Sequence, residues 1–392
     1  MVALYRNGRQ AEALEVYREG RERLVEGAGL EPGPALRELE RAILRQELPR
    51  RAPRQAGARM RRFSPTTPRI VVVALLLAVV ALAIGLLVQR EPSPALAGIA
   101  ANSVGVIDPD RNALVASVAV GQRPVSVAAD SRAVWVANAG DETVSRIDPK
   151  ERELVGNVPA RTDHGSVRLG RDAVWVVGRT GVVADYHAVV SQIDPDVSAV
   201  TEIGRYRAIT IRFDETFSIG EGFGSLWVTN GWQLLRLNRR GRRRRSIDEF
   251  SSARGLAIGA GAVWAGDVLY PPSGSTPVLR IDPRTNGVVA RIPVAAEVAA
   301  IAVGGGAVWV ASDNGTLTRI DPDSNVVTAT VDLGGALSDV AIGFGSVWVA
   351  NNGSRNVARI DPASGKVVAR IPTRTRPDGI AVGDDAVWVT AY

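Results

Sequence analysis

Two hydrophobic patterns of different period divide the chain. From residue 98 onward, short segments alternate apolar and polar positions, four segments to a unit, and the unit recurs. Alternation of period two is the mark of strands that bury one face. Each unit carries a tryptophan between aliphatics, (A/S)-(V/L)-W, at Trp135, Trp175, Trp227, Trp264, Trp309, Trp348 and Trp388. Each also carries a turn headed by Asp-Pro, at Asp108, Asp148, Asp194, Asp282, Asp321 and Asp361, with Asn238 in the equivalent place. These landmarks are spaced 40, 46, 44, 44, 39 and 40 residues apart. Periods of this length with four alternating segments predict a propeller of four-stranded blades. The clearest unit predicts strands at 339–343, 346–351, 356–360 and 366–371, with Asp then Pro starting a type I turn. The last unit ends in its second strand at 386–392, while 103–107 and 114–119 offer two strands at the other end. A two-plus-two seam is therefore expected to complete a seventh blade, removing both sheet edges.

Upstream the pattern changes. Residues 70–88, IVVVALLLAVVALAIGLLV, contain no polar or charged side chain. At about 1.5 Å of rise per residue, such a helix crosses the hydrocarbon core of a bilayer with its backbone hydrogen bonds satisfied. Before it, Ala13, Leu14, Tyr17, Arg21 and Leu24 share one face of a helix, and Pro32-Gly33-Pro34 opens a second with the stripe Leu36, Leu39, Ile43 and Leu44. The predicted organisation is a small helical hairpin at 1–48, a basic linker at 49–69, a transmembrane helix at 70–88, a short linker at 89–97 and a mainly β seven-bladed propeller at 98–392.

Charge changes this picture in one respect. The chain carries a formal +6, but residues 1–69 hold all of it and residues 70–392 are neutral. Nine arginines between 41 and 69 face one acid, Glu47, while Arg90 is followed by Glu91. The positive-inside rule places the N-terminal part in the cytoplasm and the propeller outside, with anionic lipids held at 41–69. A signal peptide is the alternative: a start at Met60 would give a basic leader, with Ala95-Leu96-Ala97 as a cleavage site. Either reading leaves the propeller outside the cytoplasm. The absence of cysteine excludes disulfides, thiolate metal sites and a thiol nucleophile.

Two stretches resemble known families. LYRNGRQAEALEVYREGRERLVEGAGLEPGPALRELERAIL resembles the end of the bacterial transcriptional activator domain, a tetratricopeptide-like helical module that follows a winged-helix DNA reader in regulators of antibiotic pathways. Met1 falls inside what that family makes its first helix, so the chain is expected to be the downstream part of a longer regulator, by truncation or a mis-called start. No direct nucleic-acid contact is expected from it as written. The repeat resembles the YVTN family of seven-bladed propellers, which implies that the strand before each tryptophan lines a central channel.

Candidate chemistry sits where the repeat is broken. Insertions at 178–187, 204–215 and 266–276 fall on one face of neighbouring blades, and loops on a rigid scaffold concentrate binding residues. They nominate His164, Asp185, Tyr186, His187, Tyr206 and Tyr270 as ligand-binding, against neutral loop drift. On the opposite face, Arg239, Arg240, Arg242, Arg243, Arg244 and Arg245 replace an Asp-Pro turn and nominate an anion site, against a merely solvated turn. The repeat tryptophans are expected to pack blades, and the repeat aspartates to form turns. No catalytic residue, metal site or cofactor is indicated. The resulting expectation is a membrane-anchored signalling protein whose outer propeller senses a ligand or wall component. A propeller scaffold without regulatory role is the second reading. The third is an enzyme resembling streptogramin lyase, a propeller that uses a metal and histidines near the channel, for which His164 and His187 are the residues at hand.

Overall fold

Segments such as Val-Val-Thr-Ala-Thr-Val at 326–331 place β-branched residues between turn formers, and they fold as strands because such side chains pack on a pleated, half-buried surface. In a computed structural model the chain divides into two compact units, Met1–Arg90 and Glu91–Tyr392. The structure describes residues 95–161, 163, 165–181, 185–208, 217–250, 252–267 and 276–392, all in the second unit. The expected helical hairpin, basic linker and apolar run at 70–88 lie outside the described residues. Among those that are described, no helix is long and apolar enough to cross a membrane.

Seven four-stranded sheets form among the described residues. β1 (Ser103–Asp108) and β2 (Ala113–Ala119) come first in the chain. Blade one then runs from β3 (Pro124–Ala129) to β6 (Glu153–Pro159), and blade two from β7 (Ser166–Leu169) to β10 (Val200–Arg207). Blade three runs from β11 (Ile219–Gly222) to β14 (Arg243–Ile247), and blade four from β15 (Ala253–Gly259) to β18 (Val288–Val294). Blade five spans β19 (Val298–Gly304) to β22 (Val326–Asp332), and blade six β23 (Leu337–Gly343) to β26 (Val367–Pro372). The seventh sheet is the seam, ordered β2-β1-β28-β27, with β27 at Pro377–Val382 and β28 at Val387–Ala391. Val106 of β1 lies opposite Trp388 of β28, so the two ends of the propeller meet in one antiparallel pair. The first strands of the seven blades adjoin one another in a ring, which puts them around the axis.

Burial follows from that arrangement. Second strands such as Ala307–Ser312 and Val387–Ala391 are buried along their whole length, because neighbouring blades cover both faces. Outermost strands such as β6 are mostly exposed. Every repeat tryptophan is at most 1% exposed and enters the apolar face of the next blade. Trp309 packs with Leu337, Val347 and Val349, Trp348 with Ile107, Ile380 and Val387, and Trp388 with Val127, Val134 and Val136. Truncating one of these to alanine is worth about 3–5 kcal/mol in lost burial and cavity.

The repeat aspartates are turn formers, as expected. Asp148 Oδ1 accepts the backbone N–H of Lys150 at 2.8 Å and of Glu151 at 3.1 Å. Asn238 does the same for Arg240 at 3.0 Å and Arg242 at 2.9 Å. These hydrogen bonds hold the carboxyls of Asp148 and Asp282 below the usual range, and the bonds from Ser324 and Ser364 do so for Asp321 and Asp361.

The turns also receive an arginine from the preceding blade. Arg236, Arg280 and Arg359 each lie over the tryptophan beside them, Trp227, Trp264 and Trp348, at 5.0, 5.4 and 5.0 Å. Each then reaches the next blade's turn. Arg280 Nη1 donates to Pro322 O at 2.7 Å and Asn325 Oδ1 at 2.9 Å, and Arg236 makes the same pair with Pro283 and Asn286. Arg359 closes the ring onto Pro109 and Asn112 of the seam. The asparagines sit in the left-handed region, with φ of 49° at Asn112, 63° at Asn286 and 59° at Asn325. Glycine or asparagine is at home there. In blade six that position is Gly365, at φ 68°, which offers no side-chain oxygen. Arg319 turns instead to Thr328 Oγ1 at 3.0 Å.

Two of the expected insertions are shorter as loops than their sequence implies. Gly178, Arg179 and Thr180 continue the strand Val174–Thr180, which pairs with His187–Ile193. Residues 204–207 continue β10, pairing with that same strand. Extra length in blade two therefore went first into longer strands, whose backbone hydrogen bonds are satisfied by one another.

Candidate functional site

In an up-and-down blade the first strand starts at the end where second and third strands are joined. The channel mouth thus shares a face with the hairpin after Thr180, and the Asp-Pro turns occupy the other. At this mouth Ser126, Ser166, Arg168, Ser218, Asp339 and Asp378 surround a cavity of about 80 Å³. Asp339 accepts the backbone N–H of Val340 at 2.9 Å on Oδ1, and that of Ile380 in the seam blade at 3.0 Å on Oδ2. Arg168 donates to Ser126 Oγ at 3.1 Å and to Val167 O at 2.9 Å, linking blades one and two.

The two aspartates are largely enclosed by protein but stay partly exposed to the channel. Burial pushes both carboxyls up, and for Asp378 the charge of Asp339 adds to it, reaching about 7. Asp339 has two backbone donors and the Arg168 guanidinium to favour its charged form, whereas the Arg123 guanidinium alone does so for Asp378. Tyr392, raised by burial and by Asp378, lies beneath Arg123 at 6.0 Å. A cavity this small admits a few waters or a small polar group, well below the roughly 300–1,000 Å³ of sites for sugars and nucleotides.

The residues nominated from sequence are only partly brought together. His164 and Tyr270 lie outside the described residues. His187 Nδ1 is 3.2 Å from Asp185 O and 3.9 Å from Asp185 Oδ1. Tyr186 is covered by the Arg179 guanidinium at 4.6 Å, and Arg179 pairs with Asp163 at 3.2 Å. Tyr186 and Tyr206 both pack against the core between blades two and three. Tyr206 donates its hydroxyl to the Gly241 carbonyl.

The arginine run divides into distinct parts. Arg239 is a structural pin, bonded to Asp172 and to Glu221, each at 3.0 Å, across the blade two–three boundary. Arg240 and Arg242 are exposed in the turn. Arg243, Arg244 and Arg245 continue as the edge strand β14 rather than a turn, where charge also blocks unwanted strand pairing. Arg243 joins Tyr206 in a cleft of about 520 Å³ between blades two and three, with Arg205, Arg207, Asn230, Gln233 and Trp232. Trp232 is the residue that repeat counting passed over. It is the eighth tryptophan, falls outside the repeat position, and is 42% exposed where the other seven are buried.

Comparison with known proteins defines the two parts. Residues 1–44 match the bacterial transcriptional activator domain, and residues 228–376 match a repeat of unknown function (DUF6923). Over 47 residues the chain is 57% identical to Regulatory protein AfsR of Streptomyces griseus and 51% identical to Regulatory protein AfsR of Streptomyces coelicolor. Those alignments take in 12% of this chain and 5% of each relative, so the chain spans about a twentieth of their length. Hydrazine synthase of Kuenenia stuttgartiensis superposes with a TM-score of 0.55 at 17% identity, over 67% of this chain and 90% of that one, a likeness of fold alone. The chain therefore joins a segment of a regulator-type activator domain to a seven-bladed propeller.

Proposed function

We propose that this chain belongs to a membrane-anchored regulator, in which a YVTN-type propeller outside the cytoplasm binds a ligand or wall component and an activator-domain segment lies inside. The observation that carries the reading is the order of parts in one chain: an activator-domain match, nineteen apolar residues at 70–88, then a propeller. Charge supports it. All of the net +6 lies ahead of the apolar run, where anionic lipid headgroups would hold 41–69, and the part beyond is neutral. The reading requires no catalytic step: the propeller contributes binding, and the single helix transmits by changing association or position. The test is topology. A phosphatase reporter that is active only outside the cytoplasm should work when fused after Tyr392 and fail when fused ahead of residue 70. The reverse pattern, or recovery of the chain with soluble proteins, overturns the anchoring. Transcript profiles that do not change when residues 98–392 are deleted overturn the regulatory role.

A further inference from the structure

We infer that the cleft between blades two and three is a binding site for an acidic sugar, a pyranose ring bearing a carboxylate or phosphate. This goes beyond the regulatory reading and stands whether or not the propeller signals. Three independent features converge on it.

The first is size and platform. At about 520 Å³ the cleft falls in the range of small-molecule sites, and Trp232 offers its ring at 42% exposure. Asn230 N donates to Gln233 O at 3.2 Å, closing the tight turn that presents Trp232. Tyr206 is fixed as a wall by its hydroxyl bond to Gly241. Flat aromatic faces suit the apolar C–H face of a sugar ring.

The second is charge. Arg205, Arg207 and Arg243 line the cleft, and among the described residues no acid does. Glu202 engages Arg205 at 3.2 Å, whereas Arg207 and Arg243 have no carboxylate partner among the described residues. Two guanidiniums at one cleft ask for an anion.

The third is an orphaned acceptor. Asn230 is 1% exposed and lines the cleft. Its Nδ2 donates to Arg207 O at 3.0 Å, which fixes the orientation of the amide. Among the described residues no donor reaches its Oδ1. A buried acceptor left unpaired costs about 1–3 kcal/mol, a cost that a ligand hydroxyl relieves once the Trp232 turn moves aside to admit it. A simple anion has no ring face to lay on Trp232, and a neutral sugar has no use for the arginines.

The experiment uses the whole chain in detergent and reads tryptophan emission. Seven of the eight tryptophans are at most 1% exposed, so acrylamide quenches chiefly Trp232. Glucuronate, glucose 6-phosphate, glucose and inorganic phosphate are titrated separately. The expected result is saturable protection of the quenchable emission by one or both charged sugars, about tenfold or more tighter than by glucose or phosphate. Protection by only one of them names the anion. Calorimetry on Trp232→Ala, and on Arg207→Gln with Arg243→Gln, should each show a loss of about tenfold. Both variants change exposed side chains, and a melting transition within about 2 °C of the parent confirms their fold. Equal binding of glucose or phosphate, no protection by either charged sugar, or full affinity in folded variants overturns the proposal.

Discussion

Asp339 and Asp378 carry the same functional group at the same channel mouth, and their neighbours separate them. Asp339 has two backbone N–H donors, whereas Asp378 faces low polarity and the Asp339 charge, which the Arg123 guanidinium only partly offsets. The consequence for stability has a definite sign. Asp378 moves from an ordinary 3.8 to about 7 on folding, so between these pH values the folded state holds a proton that the unfolded chain releases. Its burden is absent below about pH 4, grows as pH rises to about 7, and is constant above that. Asp378→Asn carries no such burden. Its melting temperature relative to the parent should rise from pH 4 to pH 8, with a gain of about 1–2 kcal/mol once water in the channel is allowed for. Thermal melts across that range check it, and a difference that does not vary with pH sinks the idea.

At the scale of elements, the blades are held by contacts that cross repeats. An arginine on the third strand covers its own blade's tryptophan and bonds the next blade's Asp-Pro turn where the left-handed position there offers a side-chain oxygen, asparagine in three turns and Ser198 in blade two. Blade six lacks that side chain at Gly365, and a Cβ built there would touch only Val331 Cγ2 at 3.5 Å, an ordinary contact. Gly365→Asn should therefore stabilise the protein. It tolerates φ 68°, reduces the freedom of the unfolded chain, and offers Arg319 the partner its counterparts have. The expected gain is about 1 kcal/mol by urea unfolding. An unchanged or lower midpoint would show that the Thr328 bond already satisfies Arg319.

For the whole molecule, closure and anchoring are separate matters. The propeller closes through the seam, where β1 lies between β2 and β28 and joins the two ends of the propeller in one sheet. The proposed anchoring rests on residues 70–88. Arginines at Val79 and Val80 together add about 5–7 kcal/mol to membrane insertion. The doubly substituted chain is expected to leave the membrane fraction. Its retention after carbonate washing would mean that something else holds it.

The fold was legible in the sequence because a propeller repeats its instructions. Tryptophan and Asp-Pro recur at fixed offsets, and each does a local job, filling an interface or turning a chain. The strand boundaries read from residues 338–371 differ from those observed by two residues or fewer. The loop face was also legible, since parity of strand direction fixes it. The partners across blades were not. Arg280 meets Asn325 and Asp339 meets Ile380 only when separate repeats are stacked around an axis, and no local pattern encodes that stacking. The cleft shows the same limit. Tyr206 and Arg243 were singled out for opposite faces and different ligands, and Trp232 was hidden by seven others of its kind. The closing of the ring set β10 beside blade three, and that tertiary step made one site of them.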